Sequence, residues 1–135
     1  MRRATVEDIP RIVDMGRAFH SYSPWRHVPY DENATGDFAA SIIRNGVIFL
    51  TDDGMCGGCI TPFYFSPEYK LGVEMFWWAP KQGRELRKAF EAWAQENGAS
   101  AVQFSALSDN RSETVDAVYT RAGFERAETA YIKRF

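Results

Sequence analysis

The sequence predicts a single α/β domain with a mixed sheet, and three observations support this. The 135 residues are 45% hydrophobic and 25% charged, which is the usual composition of one globular domain. Apolar runs suited to buried strands alternate with segments of helical periodicity. A strand–helix–strand crossover over residues 71–107 favours two parallel neighbouring strands, and the hairpin signal Asp53-Gly54 adds antiparallel ones.

The first 45 residues predict a short strand and two helices. Residues 2–5 suit an edge strand, and Thr5 begins a helix that tolerates Pro10 in its first turn. Residues 21–33 contain two prolines and predict a long irregular loop, of the kind that often carries function. A second helix is predicted over residues 35–45.

The middle of the chain predicts three strands. Residues 47–50 are a continuous apolar run, which is typical of a buried strand. The chain then turns at Asp53-Gly54 into a strand over residues 55–65, and residues 66–68 predict another turn. A third strand is predicted over residues 71–79.

The last third of the chain contains the clearest helix. Its apolar face includes Leu86, Phe90 and Trp93, and it ends at Asn97-Gly98. The remaining elements are a strand, a helix and a terminal strand, which are predicted over residues 101–107, 112–122 and 129–135.

Charge and hydropathy exclude several classes of function. The net charge is −2 and the isoelectric point is about 5.7, whereas a nucleic-acid-binding domain usually has a strongly basic face. No apolar run approaches the roughly 20 residues that span a bilayer, and no apolar segment follows the basic N-terminal residues. We therefore expect a cytoplasmic protein whose partners are neither nucleic acid nor membrane.

The two cysteines, Cys56 and Cys59, have the spacing of half a zinc site or of a redox pair. A zinc site would have to recruit His20 and His27, whose spacing does not fit a zinc pattern. A redox pair usually opens a helix, whereas these cysteines lie in a predicted strand. We therefore expect two reduced cysteines and no metal.

The strongest functional signal is the junction between the strand over 71–79 and the helix that follows it. The first backbone N–H groups of a helix lack partners within the helix and favour an anion. Residues 81–88 contain four basic side chains and one acidic side chain, which suits a diphosphate. The alternative is a basic first turn that only faces solvent.

Three segments carry a resemblance to a known family. They are Arg3-Ala4-Thr5 with Asp8-Ile9, the loop Gln82-Gly83-Arg84-Glu85-Leu86-Arg87, and Tyr119-Thr120-Arg121-Ala122-Gly123-Phe124. In order and in context, they resemble the opening strand and helix, the acetyl-CoA loop and the Tyr-x-x-x-Gly-Phe segment of the GNAT superfamily of N-acetyltransferases. The resemblance covers the whole chain, residues 1–135, as a single domain.

The resemblance implies a mixed, mostly antiparallel sheet with helices on both faces. It also implies transfer of acetyl from acetyl-CoA, as co-substrate, to a primary amine by direct attack, without a metal. The residues that would contact acetyl-CoA are Trp77, Trp78, Gln82, Gly83, Arg84, Glu85, Leu86, Arg87 and Asn110.

One departure from the family loop concerns its two glycine positions. Glu85 and Arg87 stand in their places. Glycine there lets the backbone approach the phosphates, and the negative charge of Glu85 opposes an anionic ligand. The alternative function is therefore a non-catalytic GNAT-like interaction or structural domain with weak or lost CoA binding.

The resemblance assigns catalytic roles to two residues. Tyr119 would protonate the leaving thiolate, and its alternative is a packed tyrosine. Glu74 would be the general base, because a carboxylate in an apolar run should have a raised pKa. The alternative for Glu74 is an edge-facing or solvent-facing side chain. His20 and His27 are other candidates for the base.

By the same resemblance, the loop after the first helix would bind the acceptor amine. Tyr22, Trp25 and Tyr30 lie there with Arg26 and His27. Aromatic rings with one arginine suit the apolar body or the carboxylate of an amine substrate, and equally an interface. A homodimer is therefore also an expectation.

Overall fold

A five-stranded sheet forms the centre of the first of two compact units. In a computed structural model, which describes residues 1–109 and 111–135, the units are Met1–Ser105 and Ala106–Phe135. The strands lie in the order β1 (Arg2–Arg3), β2 (Gly46–Leu50), β3 (Met55–Phe63), β4 (Ser66–Trp78) and β5 (Ala101–Gln103). All neighbouring pairs are antiparallel except β4 and β5, which are parallel. The predicted mixed, mostly antiparallel sheet is confirmed.

Helices cover both faces of this sheet, as predicted. A 3₁₀ turn (Val6–Asp8) leads into α1 (Ile9–Tyr22), which is followed by α2 (Glu32–Asn45) and α3 (Gly83–Glu96). α1 and α2 enclose one core with the sheet, around Ile12, Ile42, Ile48 and Phe76. α3 encloses the other, around Val47, Cys56, Leu86 and Phe90. None of the helices in the described ranges is long and apolar enough to cross a membrane.

The second unit contains α4 (Ser112–Arg121). Gly123 follows it with a φ of 86°, a left-handed conformation that closes many helices. The predicted strand over residues 129–135 is wrong, because this segment has no regular structure. Its Tyr131 is 92% exposed, and a sequence of high strand propensity forms a strand only where a neighbouring edge pairs with it.

The hairpin between β3 and β4 differs from the prediction. Phe63 pairs with Ser66, so the chain turns at Tyr64-Phe65 and not at residues 66–68. Residues 66–68 belong to β4, where Pro67 is tolerated near the end of a strand. The prediction was wrong because a serine–proline pair suits a turn and a strand end equally well.

Strand β4 contains one extra residue opposite β3. Gly57 faces Phe76 and Gly58 faces Glu74, so Met75 has no counterpart on β3. A Cβ on Gly58 would lie 3.0 Å from the ring of Phe90 on α3, which places Gly58 and its partner Glu74 on the α3 face of the sheet. Phe76 belongs to the core of α1 and α2. The bulge at Met75 therefore directs Glu74 and Phe76 to opposite faces.

A hydrogen-bonded cluster fixes the start of the chain. The two terminal nitrogens of Arg2 donate to the two carboxylate oxygens of Asp8 at 2.7 and 2.5 Å, and the backbone N–H of Thr5 donates to the same carboxylate at 2.8 Å. The Arg2 hydrogen bond, and then that of Thr5, hold the pKa of Asp8 well below its usual range.

Candidate functional site

The N-terminus of α3 follows β4 after four residues and has open backbone donors. Gln82 has φ 56° and ψ 26°, and its carbonyl accepts the first helical hydrogen bond, from the N–H of Leu86 at 3.1 Å. The N–H groups of Gly83, Arg84 and Glu85 therefore have no partner within the helix. Among the described residues, no side-chain hydrogen bond caps this end. Three donors and the positive end of the helix dipole suit an anion.

Gly83 fits a narrow space at this junction. A Cβ there would lie 3.3 Å from both the Cβ of Ala79 and the ring of Trp77. Such contacts are tighter than normal packing allows without movement of the neighbours. A side chain at position 83 would therefore require Ala79 or the ring of Trp77 to move by a few tenths of an ångström.

The two residues that replace the family's glycines point in different directions. Arg87 is only 5% exposed and forms an ion pair with Glu91, one turn further along α3. Its side chain therefore lies against the protein and does not extend from the open end of the helix. Glu85 is exposed, together with Lys81, Arg84 and Lys88.

Leu86 lies differently from the other loop residues. Its side chain is fully buried in the core beneath α3, and its N–H is bonded to Gln82. Leu86 therefore anchors the helix, and the open donors come from the three residues before it.

The two tryptophans at the end of β4 lie in different cores. The ring of Trp77 contacts Phe104 at 5.8 Å on the α3 side. The ring of Trp78 contacts Tyr22 at 5.4 Å and Phe19 at 5.8 Å, both on α1. The end of β4 thus meets the end of α1 through Trp78 and Tyr22.

The predicted acceptor residues do not share one environment. Tyr22 is 68% exposed beside Trp78, so its ring borders the junction between β4 and α3. Trp25 is half-exposed and lies 6.2 Å from the ring of His27. The hydroxyl of Tyr30 donates to the carbonyl of Val13 at 2.6 Å, which fixes the loop onto α1. The irregular loop spans only residues 23–31, because α2 begins at Glu32.

Glu74 is a buried carboxylate with a specific partner. It is 7% exposed, and its Oε2 accepts hydrogen bonds from the backbone N–H of Ser105 at 3.1 Å and from its Oγ at 3.2 Å. Burial raises the pKa of Glu74, and the Ser105 hydrogen bonds partly oppose this rise. The expected upward shift of the pKa is confirmed, and the solvent-facing alternative is wrong.

The cysteines lie in β3 on opposite faces of the sheet. Cys56 belongs to the core beneath α3, and Cys59 lies three residues further along, beyond Gly57 and Gly58. Both are free thiols, as predicted. Burial, and then the negative charges of Glu74 and Glu91, raise the pKa of Cys56 far above its usual value, which makes it unreactive. No metal-binding group of three or more His, Cys, Asp or Glu occurs among the described residues.

The two remaining predicted site residues follow β5. Tyr119 is half-buried in the second unit, with its ring 5.2 Å from that of Phe124. The N–H of Phe124 donates to the carbonyl of Tyr119 at 3.0 Å. Asn110 lies outside the described residues.

Sequence reasoning missed Ser105 and Glu91. Ser105 is 31 positions from Glu74 along the chain, so no local pattern relates them. Arg87 and Glu91 have the four-residue spacing of a helical ion pair, and this signal was available in the sequence.

Comparison with solved structures identifies the fold. A probable acetyltransferase shares 18% identity with the chain at a TM-score of 0.74, covering 100% of this chain and 98% of its own. An aminoglycoside N-acetyltransferase in complex with CoA shares 15% identity at a TM-score of 0.68, covering 99% and 92%. The chain has the GNAT fold.

The GNAT fold alone leaves the function open, because a fold can carry several functions. A structure described as a transcriptional regulator from Bacillus halodurans C-125 shares 18% identity at a TM-score of 0.73, covering 99% of this chain and 97% of its own. No protein-family model matches the chain, and the search of curated proteins finds no match.

Proposed function

We propose that the protein is an N-acetyltransferase that moves acetyl from acetyl-CoA to a primary amine. The observation that carries this proposal is the open N-terminus of α3 at the end of β4, where the N–H groups of Gly83, Arg84 and Glu85 have no partner within the helix. Acetyltransferases with the same fold, one of them in complex with CoA, support it.

The residues at this end of α3 fit the diphosphate of CoA in most respects. Backbone donors would bind the phosphate oxygens, and the exposed side chains of Lys81, Arg84 and Lys88 would neutralise their charge. The buried side chain of Arg87 leaves the open donors uncovered. Within the loop of residues 82–87, Glu85 opposes the ligand, so we expect binding that is weakened and not abolished.

The acceptor would be an amine. Attack on the thioester requires a neutral amine, and Glu74, whose pKa is raised, suits the removal of its proton. We assign stabilisation of the oxyanion to backbone N–H groups near Trp77 and Trp78, and protonation of the thiolate to Tyr119, on the resemblance. One neighbour of this fold was solved with a bisubstrate analogue that joins CoA to acetylneamine, which supports an amine as acceptor here.

Calorimetric titration with acetyl-CoA tests the proposal. We expect saturable binding, which Arg84→Ala weakens by about fivefold because an exposed ion pair contributes about 1 kcal/mol. Arg44→Ala is the matched control, since Arg44 is an exposed arginine in the last turn of α2. Binding that is absent in the unaltered protein, or equally affected by both variants, would favour the non-catalytic interaction domain.

A further inference from the structure

The buried position of Glu74 creates a problem for its proposed role. A general base must reach the proton that it removes, either directly or through a bridging group. Glu74 is 7% exposed, and its side chain lies on the α3 face of the sheet. An acceptor amine in solvent therefore needs a group that connects it to this carboxylate.

Ser105 occupies the place where such a group is needed. The parallel pairing of β4 with β5 ends at Val73 and Gln103, so the two strands are no longer paired at Glu74 and Ser105. There the Glu74 side chain takes the place of a main-chain partner and accepts both the N–H and the Oγ–H of Ser105. Ser105 itself is exposed. The residue that donates to the buried carboxylate therefore lies itself at the surface.

We propose that Ser105 is the positioning residue of Glu74 and the route by which a proton passes between the acceptor amine and this carboxylate. This role presupposes the acetyl-transfer activity proposed above. Sequence reasoning did not assign any function to Ser105, and its contribution comes from contacts between distant parts of the chain.

The proton transfer is balanced without any further reactant. An N–H bond of the acceptor ammonium breaks as its proton binds to Oγ of Ser105. At the same time, the original O–H bond of Ser105 breaks and its proton binds to Oε2 of Glu74. Ser105 is unchanged, Glu74 is neutral, and the free amine can attack the thioester. After the product leaves, the proton returns to solvent through the same hydroxyl.

Among the described residues, ionisable groups around Glu74 lie on β3 and α3. Cys56 on β3 is close enough to Glu74 for the charge of the carboxylate to raise the pKa of the Cys56 thiol. The charge of Glu91 on α3 raises the pKa of the same thiol. Arg87 on α3 forms an ion pair with Glu91. The two hydrogen bonds from Ser105 lower the pKa of Glu74 against the effect of burial. Removal of the Ser105 hydroxyl should therefore raise this pKa further.

The test compares Ser105→Ala, Ser105→Thr and Ser100→Ala. Thr keeps the hydroxyl, and Ser100 is an exposed serine just before β5 that serves as the matched control. Carbon-13 NMR follows the titration of the Glu74 carboxyl, which is assigned by its absence in Glu74→Gln. We expect the midpoint to rise by about one to two pH units in Ser105→Ala, because the variant removes a hydrogen bond to the ionised carboxylate. The Thr variant and the control should titrate like the unaltered protein.

The pH dependence of acetyl transfer tests the proton route. We expect the acidic limb of the rate profile to move with the NMR midpoint in Ser105→Ala, and the maximal rate to fall by about tenfold or more. An unchanged NMR midpoint would overturn the positioning role. A shifted midpoint with an unchanged rate profile would overturn the proton route. If the unaltered protein does not bind acetyl-CoA, the proposed function fails, and the NMR titration still decides whether Ser105 sets the ionisation of Glu74.

Discussion

Replacement of Glu85 by Gln should increase the affinity for CoA and decrease the stability of the folded protein. Glu85 is exposed in the first turn of α3, two residues after Gly83. At 1.5 Å of rise per residue, and with an extended side chain, its carboxylate lies about 7 Å from an anion at the open N–H groups. Gln has nearly the same size, so the substitution removes the charge and little else.

The expected gain in binding follows from Coulomb's law. At about 7 Å, one negative charge and a doubly charged diphosphate repel by about 1 kcal/mol in water and by about 5 kcal/mol at an effective dielectric constant of 20. Screening at physiological salt, where the Debye length is about 8 Å, reduces this repulsion to about 0.5–2 kcal/mol. The Glu85→Gln variant should therefore bind acetyl-CoA about 2- to 30-fold more tightly, and the gain should shrink as salt is added.

The expected loss of stability comes from the helix dipole. An acidic residue in the first turn contributes about 0.3–1 kcal/mol, so the melting temperature of the ligand-free variant should fall by about 1–5 °C. Calorimetric titration at two salt concentrations and thermal unfolding measure the two effects. Glu96→Gln, at the exposed C-terminal end of the same helix, is the control and should leave CoA binding unchanged. If Glu85→Gln binds acetyl-CoA no more tightly at low salt, the diphosphate does not bind at this end of α3.

Two further predictions concern stability. Arg87→Met should lower the free energy of unfolding by about 1–3 kcal/mol, measured by chemical denaturation, because it leaves Glu91, whose side chain is 31% exposed, without its buried partner. The double variant with Glu91→Leu should recover most of this loss. A single variant as stable as the unaltered protein would contradict a stabilising role of the buried ion pair. Asp8→Asn should lower the melting temperature at pH 7, and the difference should shrink progressively as the pH falls below the usual pKa of an aspartate, because a carboxylate with a lowered pKa stabilises the fold only while it is ionised. The exposed Asp14→Asn is the control. A loss that stays undiminished as the pH falls would show that the ionised carboxylate is not the cause.

The structural elements that are determined by residues close together in the sequence could be predicted from it. Asp53-Gly54 marked the hairpin between β2 and β3, and the spacing of Leu86, Phe90 and Trp93 marked α3. The crossover predicted parallel pairing of the strands on either side of this helix, and β4 and β5 are parallel neighbours. Local propensity and hydrophobic period decide such features, and both can be read in a short window.

The features that depend on distant residues could not be predicted. The burial of Arg87 requires knowledge of which face of α3 meets the sheet at that turn, since four basic residues in a row of eight all suit a solvated surface. The contact of Glu74 with Ser105 depends on where β4 and β5 separate, which no spacing in the sequence records. Residues 129–135 have a strand-like sequence but form no strand, because strand formation also requires a neighbouring sheet edge, which the local sequence does not reveal.

Because β4 contains an extra residue, it should tolerate a substitution at that position better than a deletion. Met75 is 47% exposed, so many side chains should be accepted at that position. A deletion of Met75 would restore the simple alternation of side chains along β4. The β4 residues that precede Met75 would then point to the other face of the sheet. Glu74 would then face α1 and α2, and the carboxylate would be lost to the α3 side although no functional residue had been mutated.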